Sequence, residues 1–363
     1  MPDFTPLLDV PAFPADGYAS LADRLQRLLG TTHDVVFVQA EAILALEAAA
    51  TSLARPGLIA LNIVTSPYGG YFGHWLRLGG AKVHDVAAAG GQPITVAAVA
   101  QALAALPQVD LVAMVHAETS SGILNPLPEI AALARARGAL LAVDAVASLG
   151  GHELDVDALG IDVCIGGPQK ALGGPAGLSF AAISSRAWAA MAQAPDRGPS
   201  SLSLLELRRT WLAAGRGKPA GMPSALEFWA LQAALDRIEA EGLPQTIARH
   251  ARAAAATRAG LTALGVAPWV TDPGSASALA TAAPVPAGID AGALIAAADR
   301  LGVTLTPGFG EVRGRLVRLD HTGSRANFAP VLASVVGYGT ALQQLGAAVD
   351  IGGAAAAVTD GYR

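Results

Sequence analysis

The chain holds a single cysteine, Cys164. No disulfide can form within it, and no cysteine cluster can bind zinc. Cys164 lies in Ile161-Asp-Val-Cys-Ile-Gly166, which reads as a buried strand, so its thiol is expected to be inert core. Aromatic residues are scarce at 5%, which favours close-packed helices and strands with few aromatic anchors. Basic residues do not exceed acidic ones. The net charge of −5 leaves no basic surface for nucleic acid. No stretch of about 18 unbroken apolar residues occurs, so no membrane span is expected. The start, Met1-Pro-Asp-Phe-Thr-Pro6, lacks the basic residues and apolar run of a signal peptide, and a cytoplasmic protein is expected. What is plentiful is hydrophobic: 52% of 363 residues, enough for a large domain with a sizeable core and a smaller second one.

Residues 1–20 are Pro-rich and read as irregular. Residues 40–53 carry strong helix formers. After Pro56-Gly57, the run Leu58-Ile-Ala-Leu-Asn-Ile-Val64 reads as a buried strand. Helix-like stretches at 70–79, 94–106 and 127–137 then alternate with strand-like runs at 82–87, 110–116, 139–144, 162–166 and 177–183. Such alternation predicts parallel βαβ units in an open α/β sheet. Ligands of these sheets lie beyond the carboxyl ends of the strands. Residues 224–264 read as nearly all helical. Short apolar runs at 278–283, 303–307 and 315–319, with helices near 289–301 and 327–345, predict a small α+β domain. The Gly/Ala tail at 349–357 is uninformative.

Asp144 ends the apolar run Leu140-Leu-Ala-Val-Asp144 and so stands at the mouth of the sheet. Taken alone it is compatible with a strand-end cap or an arginine ion pair, since a buried carboxylate needs a cationic partner. Lys170 is enclosed by Gly and Pro in Gly166-Gly-Pro-Gln-Lys-Ala-Leu-Gly-Gly-Pro-Ala-Gly177. It is either a surface-loop lysine or a desolvated amine nucleophile. Together the two fit pyridoxal chemistry. That cofactor needs a lysine for its Schiff base and a carboxylate at the pyridinium nitrogen. The same lysine moves the proton between the substrate carbon and the cofactor. Val115-His-Ala-Glu-Thr-Ser-Ser-Gly122 offers hydroxyls for the ring 3-oxygen, with Thr119 the chosen contact. Tyr68, in Pro67-Tyr-Gly69, is placed to stack on the ring for roughly 1 kcal/mol. Ordinary loop chemistry accounts for both segments as well.

His116-Ala-Glu-Thr-Ser-Ser-Gly122, Val143-Asp-Ala-Val-Ala-Ser-Leu-Gly-Gly151 and Pro168-Gln-Lys-Ala-Leu172 resemble, in order and spacing, the signatures of class V (fold type I) aminotransferases of the alanine– and serine–glyoxylate type. The likeness covers roughly residues 35–345. It implies a large cofactor-binding domain, 1–255 with its N-terminal segment 1–20, built on a mainly parallel seven-stranded sheet flanked by helices. A small α+β domain, 256–363, completes the chain. It also implies a homodimer or homotetramer, a Lys170 aldimine, Asp144 on the pyridine nitrogen, Tyr68 stacked and Thr119 at the 3-oxygen. Arg318, in Gly314-Arg-Leu-Val-Arg318, matches the arginine that grips the substrate carboxylate, which a guanidinium does bidentately.

The departures from the family pattern concern the phosphate. Members place a Ser/Gly/Thr turn at the start of the helix near residue 41, whose N–H groups cup the cofactor phosphate. Here Glu41 occupies that turn. A carboxylate about 5 Å from a phosphate costs roughly 3 kcal/mol per charge pair at an effective dielectric near 20. The family's Tyr-x-x-Thr-Pro phosphate segment reads Pro219-Ala-Gly-Met-Pro223, without either hydroxyl. This combination resembles the pyridoxamine–pyruvate transaminase branch, which takes unphosphorylated pyridoxamine and pyridoxal as substrates, and Glu41 would then accept from the 5′-hydroxyl. As a plain helix N-terminal acid, Glu41 would be favoured by the dipole alone. That branch carries a second carboxylate-binding arginine where this chain has Phe309, so a bulkier or more apolar 2-oxo acid than pyruvate is compatible. Gln169 is a possible contact to pyridoxal 5′-phosphate, which keeps the phosphate-dependent glyoxylate-type reading open. A non-catalytic protein that binds vitamin B6 or a protein partner is a third reading. Cysteine desulfurase chemistry needs a loop cysteine, and Gly308-x-Gly310 leads into a strand, which argues against a nicotinamide site.

Overall fold

A computed structural model describes residues 7, 9–195, 198 and 200–363. The reading of residues 1–20 as irregular falls partly outside these. Within them Gly17–Ser20 already belong to α1 (Gly17–Leu29), whose apolar face buries Tyr18, Leu21, Leu25 and Leu29. The chain continues through β1 (Asp34–Val38), α2 (Ala42–Leu53), β2 (Ile59–Val64), α3 (Pro67–Leu78), β3 (Lys82–Ala87), α4 (Val96–Ala104) and β4 (Leu111–Val115). A two-residue ladder, β5 (Ala117–Glu118) with β6 (Ile123–Leu124), precedes α5 (Leu127–Ala136), β7 (Leu140–Asp144), α6 (Val156–Leu159), β8 (Val163–Gly166) and β9 (Ser179–Ile183). Helices α7 (Ser185–Met191), α8 (Leu204–Leu207), α9 (Ala225–Glu241) and α10 (Leu243–Ala263) follow.

Seven strands form one sheet in the order β1-β9-β8-β7-β4-β2-β3. Pairs β2–β3, β2–β4, β4–β7 and β7–β8 are parallel. The expectation of parallel units fails at β9, which runs antiparallel to both β8 and β1. The connection from β8 to β9 is the Gly/Pro loop around Lys170, with no crossover helix, and a parallel pair requires a crossover. Strand β1 does not stand out in the sequence, because its run of five residues is short and its neighbour is supplied from far along the chain.

Among the described residues the remaining elements are β10 (Ala280–Pro284), α11 (Ala291–Asp299), β11 (Thr306–Pro307), β12 (Leu316–Asp320), α12 (Phe328–Gln344) and α13 (Ile351–Asp360). They form an antiparallel β10-β12-β11 sheet backed by helices. The Gly/Ala tail is informative after all. Most of it folds as α13, with Asp350 capping Gly353 N at 2.8 Å, and buries Ala354 and Val358 against α10 and α12. Small side chains let those helices approach closely. One hydrophobic core draws on residues up to Ile238, and a second begins at Ala253. No described helix is long and apolar enough to cross a membrane.

Candidate active site

The parallel register sets the carboxyl ends of the central strands side by side. Val115 pairs with Asp144, and Asp144 with Ile165. The segments that leave those ends carry Tyr68, Thr119, Asp144 and Lys170 into one crevice. Together with Glu41, Ala42 and Ile43 they line a cleft.

Lys170 sits on a loop folded tightly on itself, with Gly174 N donating to Pro168 O at 2.7 Å and Gly173 N to Lys170 O at 3.1 Å. Buried Ala171 and Leu172 anchor it. The turn that follows β12 packs against it. Gly323 has φ +55°, and a Cβ there would lie 3.3 Å from Gly173 Cα and 3.4 Å from Lys170 O. Lys170 Nζ donates to Thr119 Oγ1 at 3.4 Å. Burial holds its amine below the ordinary lysine range, and the nearby Arg318 cation adds to the depression. This is the environment that makes a lysine a usable base or nucleophile.

Asp144 accepts from Val146 N at 2.9 Å. Among the described residues no cation lies within ion-pair distance of it, so the arginine pairing left open by the sequence does not occur. Burial pushes its carboxyl up to about 6, against the Val146 N–H and the Lys170 charge. A half-buried carboxylate facing a cleft without a cationic partner fits a ligand that brings a positive N–H. A protonated pyridine ring is such a ligand, so the residues fit a pyridoxal-type group.

Glu41 is the N-cap of α2. One carboxylate oxygen accepts from Ile43 N at 2.9 Å and the other from Gln169 Nε2 at 2.8 Å. The helix N-terminus that would cup a phosphate is thus already met by a side-chain anion, and Gln169 is turned onto that anion. Pro219 and Met222 do not line the cleft. Their loop meets the α2 side of the sheet through Gln39 Nε2 and Ala220 O, at 3.2 Å.

Tyr68 enters with α3, where Ser66 Oγ accepts from Tyr68 N at 3.1 Å and Pro67 starts the helix. Its ring is 6.0 Å from that of Phe309, which reaches over from the small domain. Arg318 lies in the middle strand of the small sheet, in register with Ala282 and Thr306. It donates to Asp320 Oδ2 at 3.3 Å, while its buried Nε has no partner. Its charge acts on both Lys170 and Tyr68. Gly122, with φ +73°, lets the Thr119 loop touch this sheet, since a Cβ would lie 3.0 Å from Ala280 O. His152 Nε2 accepts from Ala278 N and His250 Nε2 from Gly323 N, each at 3.0 Å. Burial lowers both histidines, His152 to about 4. Neutral imidazoles thus join the two cores beside the site.

Sequence reasoning missed Glu118. It is buried, lines the cleft and accepts from Thr65 Oγ1 at 2.9 Å. Thr65 Oγ1 in turn accepts from Asn125 Nδ2 at 3.0 Å. The available signal was an acid among small residues directly after a buried strand. Burial pushes Glu118 up to about 8 against the Ser66 and Thr65 hydroxyls, and the Asp144 charge adds to the rise. It is therefore mainly protonated at neutral pH. A carboxyl raised from 4.5 to about 8 on folding contributes stability that is complete below the lower value and lost as pH rises through the upper. Glu118→Gln, fixed in the neutral form, is expected to match wild type at about pH 4 and to exceed it by a few kcal/mol at about pH 9. Urea unfolding at the two pH values measures this. Equal stabilities at the higher pH would show that Glu118 does not stay protonated.

This fold and cleft define a class, the fold type I transaminases. The family model for class-V aminotransferases matches residues 15–308, and the chain belongs to that family. It is 37% identical over 338 residues to the pyridoxamine–pyruvate transaminase of Mesorhizobium japonicum, covering 92% of this chain and 85% of that one. The crystal structure of pyridoxamine–pyruvate aminotransferase from Mesorhizobium loti matches with a TM-score of 0.91 at 35% identity, over 96% of this chain and 89% of the other. The alanine–glyoxylate aminotransferase of Callithrix jacchus is 32% identical over 289 residues, 78% of this chain and 69% of that protein. The protein is accordingly a transaminase. Its substrates are a small-molecule amine and an oxo acid, and its chemistry depends on a vitamin B6 group.

Proposed function

We propose that the protein transfers an amino group between unphosphorylated pyridoxamine or pyridoxal and a 2-oxo acid. The observation that carries this reading is Glu41, bound to Ile43 N and Gln169 Nε2 at the N-terminus of α2. A carboxylate there accepts a hydrogen bond from a 5′-hydroxyl and repels a 5′-phosphate.

A pyridoxal-type group, when bound, supplies a reactive carbon conjugated to an electron-accepting pyridinium ring. The chain's own residues then have separate tasks. Asp144 holds the proton on the ring nitrogen. Thr119, within reach of Lys170, meets the 3-oxygen. Tyr68 covers the ring face. Lys170 Nζ, held below the ordinary lysine range by burial, takes a proton from the substrate carbon and returns it. Arg318 binds the acid carboxylate, its unpaired Nε giving it a donor to spare.

The large–small division at 255/256 is supported by the change of core between Ile238 and Ala253. The exposed apolar side chains Tyr71, Leu78 and Met222 support a homodimer or homotetramer. A spectral titration tests the reading of the substrate. Pyridoxal is expected to shift the visible band at lower concentration than its 5′-phosphate. Tight binding of the phosphate form, with turnover only in its presence, would instead make the protein a phosphate-dependent glyoxylate-type transaminase.

A further inference from the structure

A second cavity lies behind the wall that carries Glu118 and Thr119. The two cavities share that wall. Tyr68, Glu118 and Thr119 face the first, while the neighbouring Ser66, Ser120 and Ser121 face the second. The opposite side is the small domain's turn at Phe309, Glu311 and Val312, with Phe309 against Tyr68 where the cavities meet. Val64, Ala87 and Ala88 make the floor apolar.

Two of the polar groups that line this cavity are buried Ser121 and exposed Glu311. Ser121 is 2% exposed, and its buried hydroxyl makes no hydrogen bond. A buried hydroxyl left alone is costly, so this one is suited to a ligand. The Glu311 carboxylate packs against Gly90, where a Cβ would lie 2.4 Å from Glu311 Oε2. Among the described residues it pairs with no cation within ion-pair distance. Among the described residues no Lys, Arg or His lines the cavity. An acid placed there would meet Glu311 without compensation. A hydroxyl or amide N–H would meet two acceptors.

We propose that this cavity receives the side chain of the 2-oxo acid, and that it selects an uncharged side chain longer than a methyl group and ending in a hydrogen-bond donor. This rests on the transaminase site proposed above, in which Arg318 holds the acid's carboxylate. The apolar floor takes the methylene carbons, and Ser121 with Glu311 takes the polar end. Phe309, where the branch has its second carboxylate-binding arginine, puts an apolar ring instead of a cation on this wall.

Isothermal titration without any amine donor tests the cavity apart from turnover. Pyruvate, 4-hydroxy-2-oxobutanoate and 2-oxoglutarate are the probes. The hydroxylated acid is expected to bind about tenfold more tightly than pyruvate, from one hydrogen bond plus a buried methylene. 2-Oxoglutarate is expected to bind no better than pyruvate. Ala88→Leu, which fills the floor, should bring the hydroxylated acid to parity with pyruvate. Ser121→Ala should lower their affinity ratio severalfold. Equal affinities in the wild type, or a ratio unchanged in both variants, would overturn the proposal. Conversion of pyridoxamine is measured separately. The expected affinity pattern without conversion would keep this cavity and sink the proposed function, and conversion with flat affinities would do the reverse.

Discussion

Lys170→Ala protein is expected to fold normally and to lose transamination almost completely. Single-turnover conversion of pyridoxamine with a 2-oxo acid should slow by at least about 10²–10⁴-fold, the range of one positioned general acid–base. Loss of the amine as a nucleophile adds to that. The fold should survive because, among the described residues, Lys170 makes no ion pair and its one side-chain hydrogen bond is a long one to Thr119. Its amine is also desolvated and lies near Arg318, so removing it relieves an electrostatic cost. Thermal unfolding within a few degrees of wild type would confirm the first part. No other lysine lines the cleft to take over the proton transfer. A variant that kept a tenth of the wild-type rate would remove Lys170 from the reaction. A wild type with no turnover at all would favour the non-catalytic reading.

Much of this site is legible in the sequence because its residues stand at the ends of buried strands. Asp144 and Lys170 follow apolar runs whose burial leaves their charge no other exit than the sheet's mouth. The parallel order then brings their ends together without further information. Glu118 is less legible because its burial depends on a contact with Thr65, 53 residues earlier in the chain. The bond between Gln169 and Glu41 spans 128 residues and turns a donor that could serve a phosphate toward an acid. Neither residue type implies the other. The direction of β9 is not legible because apolar periodicity carries no sense of strand polarity. The second cavity is invisible in the sequence for a related reason. Ser120, Ser121 and Glu311 are ordinary loop residues until the two cores close on each other.

Glu41→Gln protein is expected to exchange its preference between the two forms of the vitamin. The substitution keeps the shape of the cap. Its amide oxygen can still accept from Ile43 N, so the fold loses little, whereas alanine would cost about 1 kcal/mol at an N-cap. What disappears is the charge. The unscreened penalty against a phosphate, roughly 3 kcal/mol at about 5 Å, is reduced because Glu41 is exposed and exposed charges are screened. A residual of about 1–2 kcal/mol corresponds to a gain of about tenfold in the affinity for pyridoxal 5′-phosphate relative to pyridoxal. Pyridoxal itself should bind somewhat less tightly, since a neutral amide is a weaker acceptor for its 5′-hydroxyl than a carboxylate. The two changes move the affinity ratio in the same direction, and a mere loss of helix stability would move neither selectively. Spectral titration of both ligands at low and high salt provides the check. The shift in ratio should shrink as salt rises, because it is Coulombic. A ratio unchanged at low salt would mean that Glu41 does not face the 5′ substituent, and the unphosphorylated reading would lose its main support.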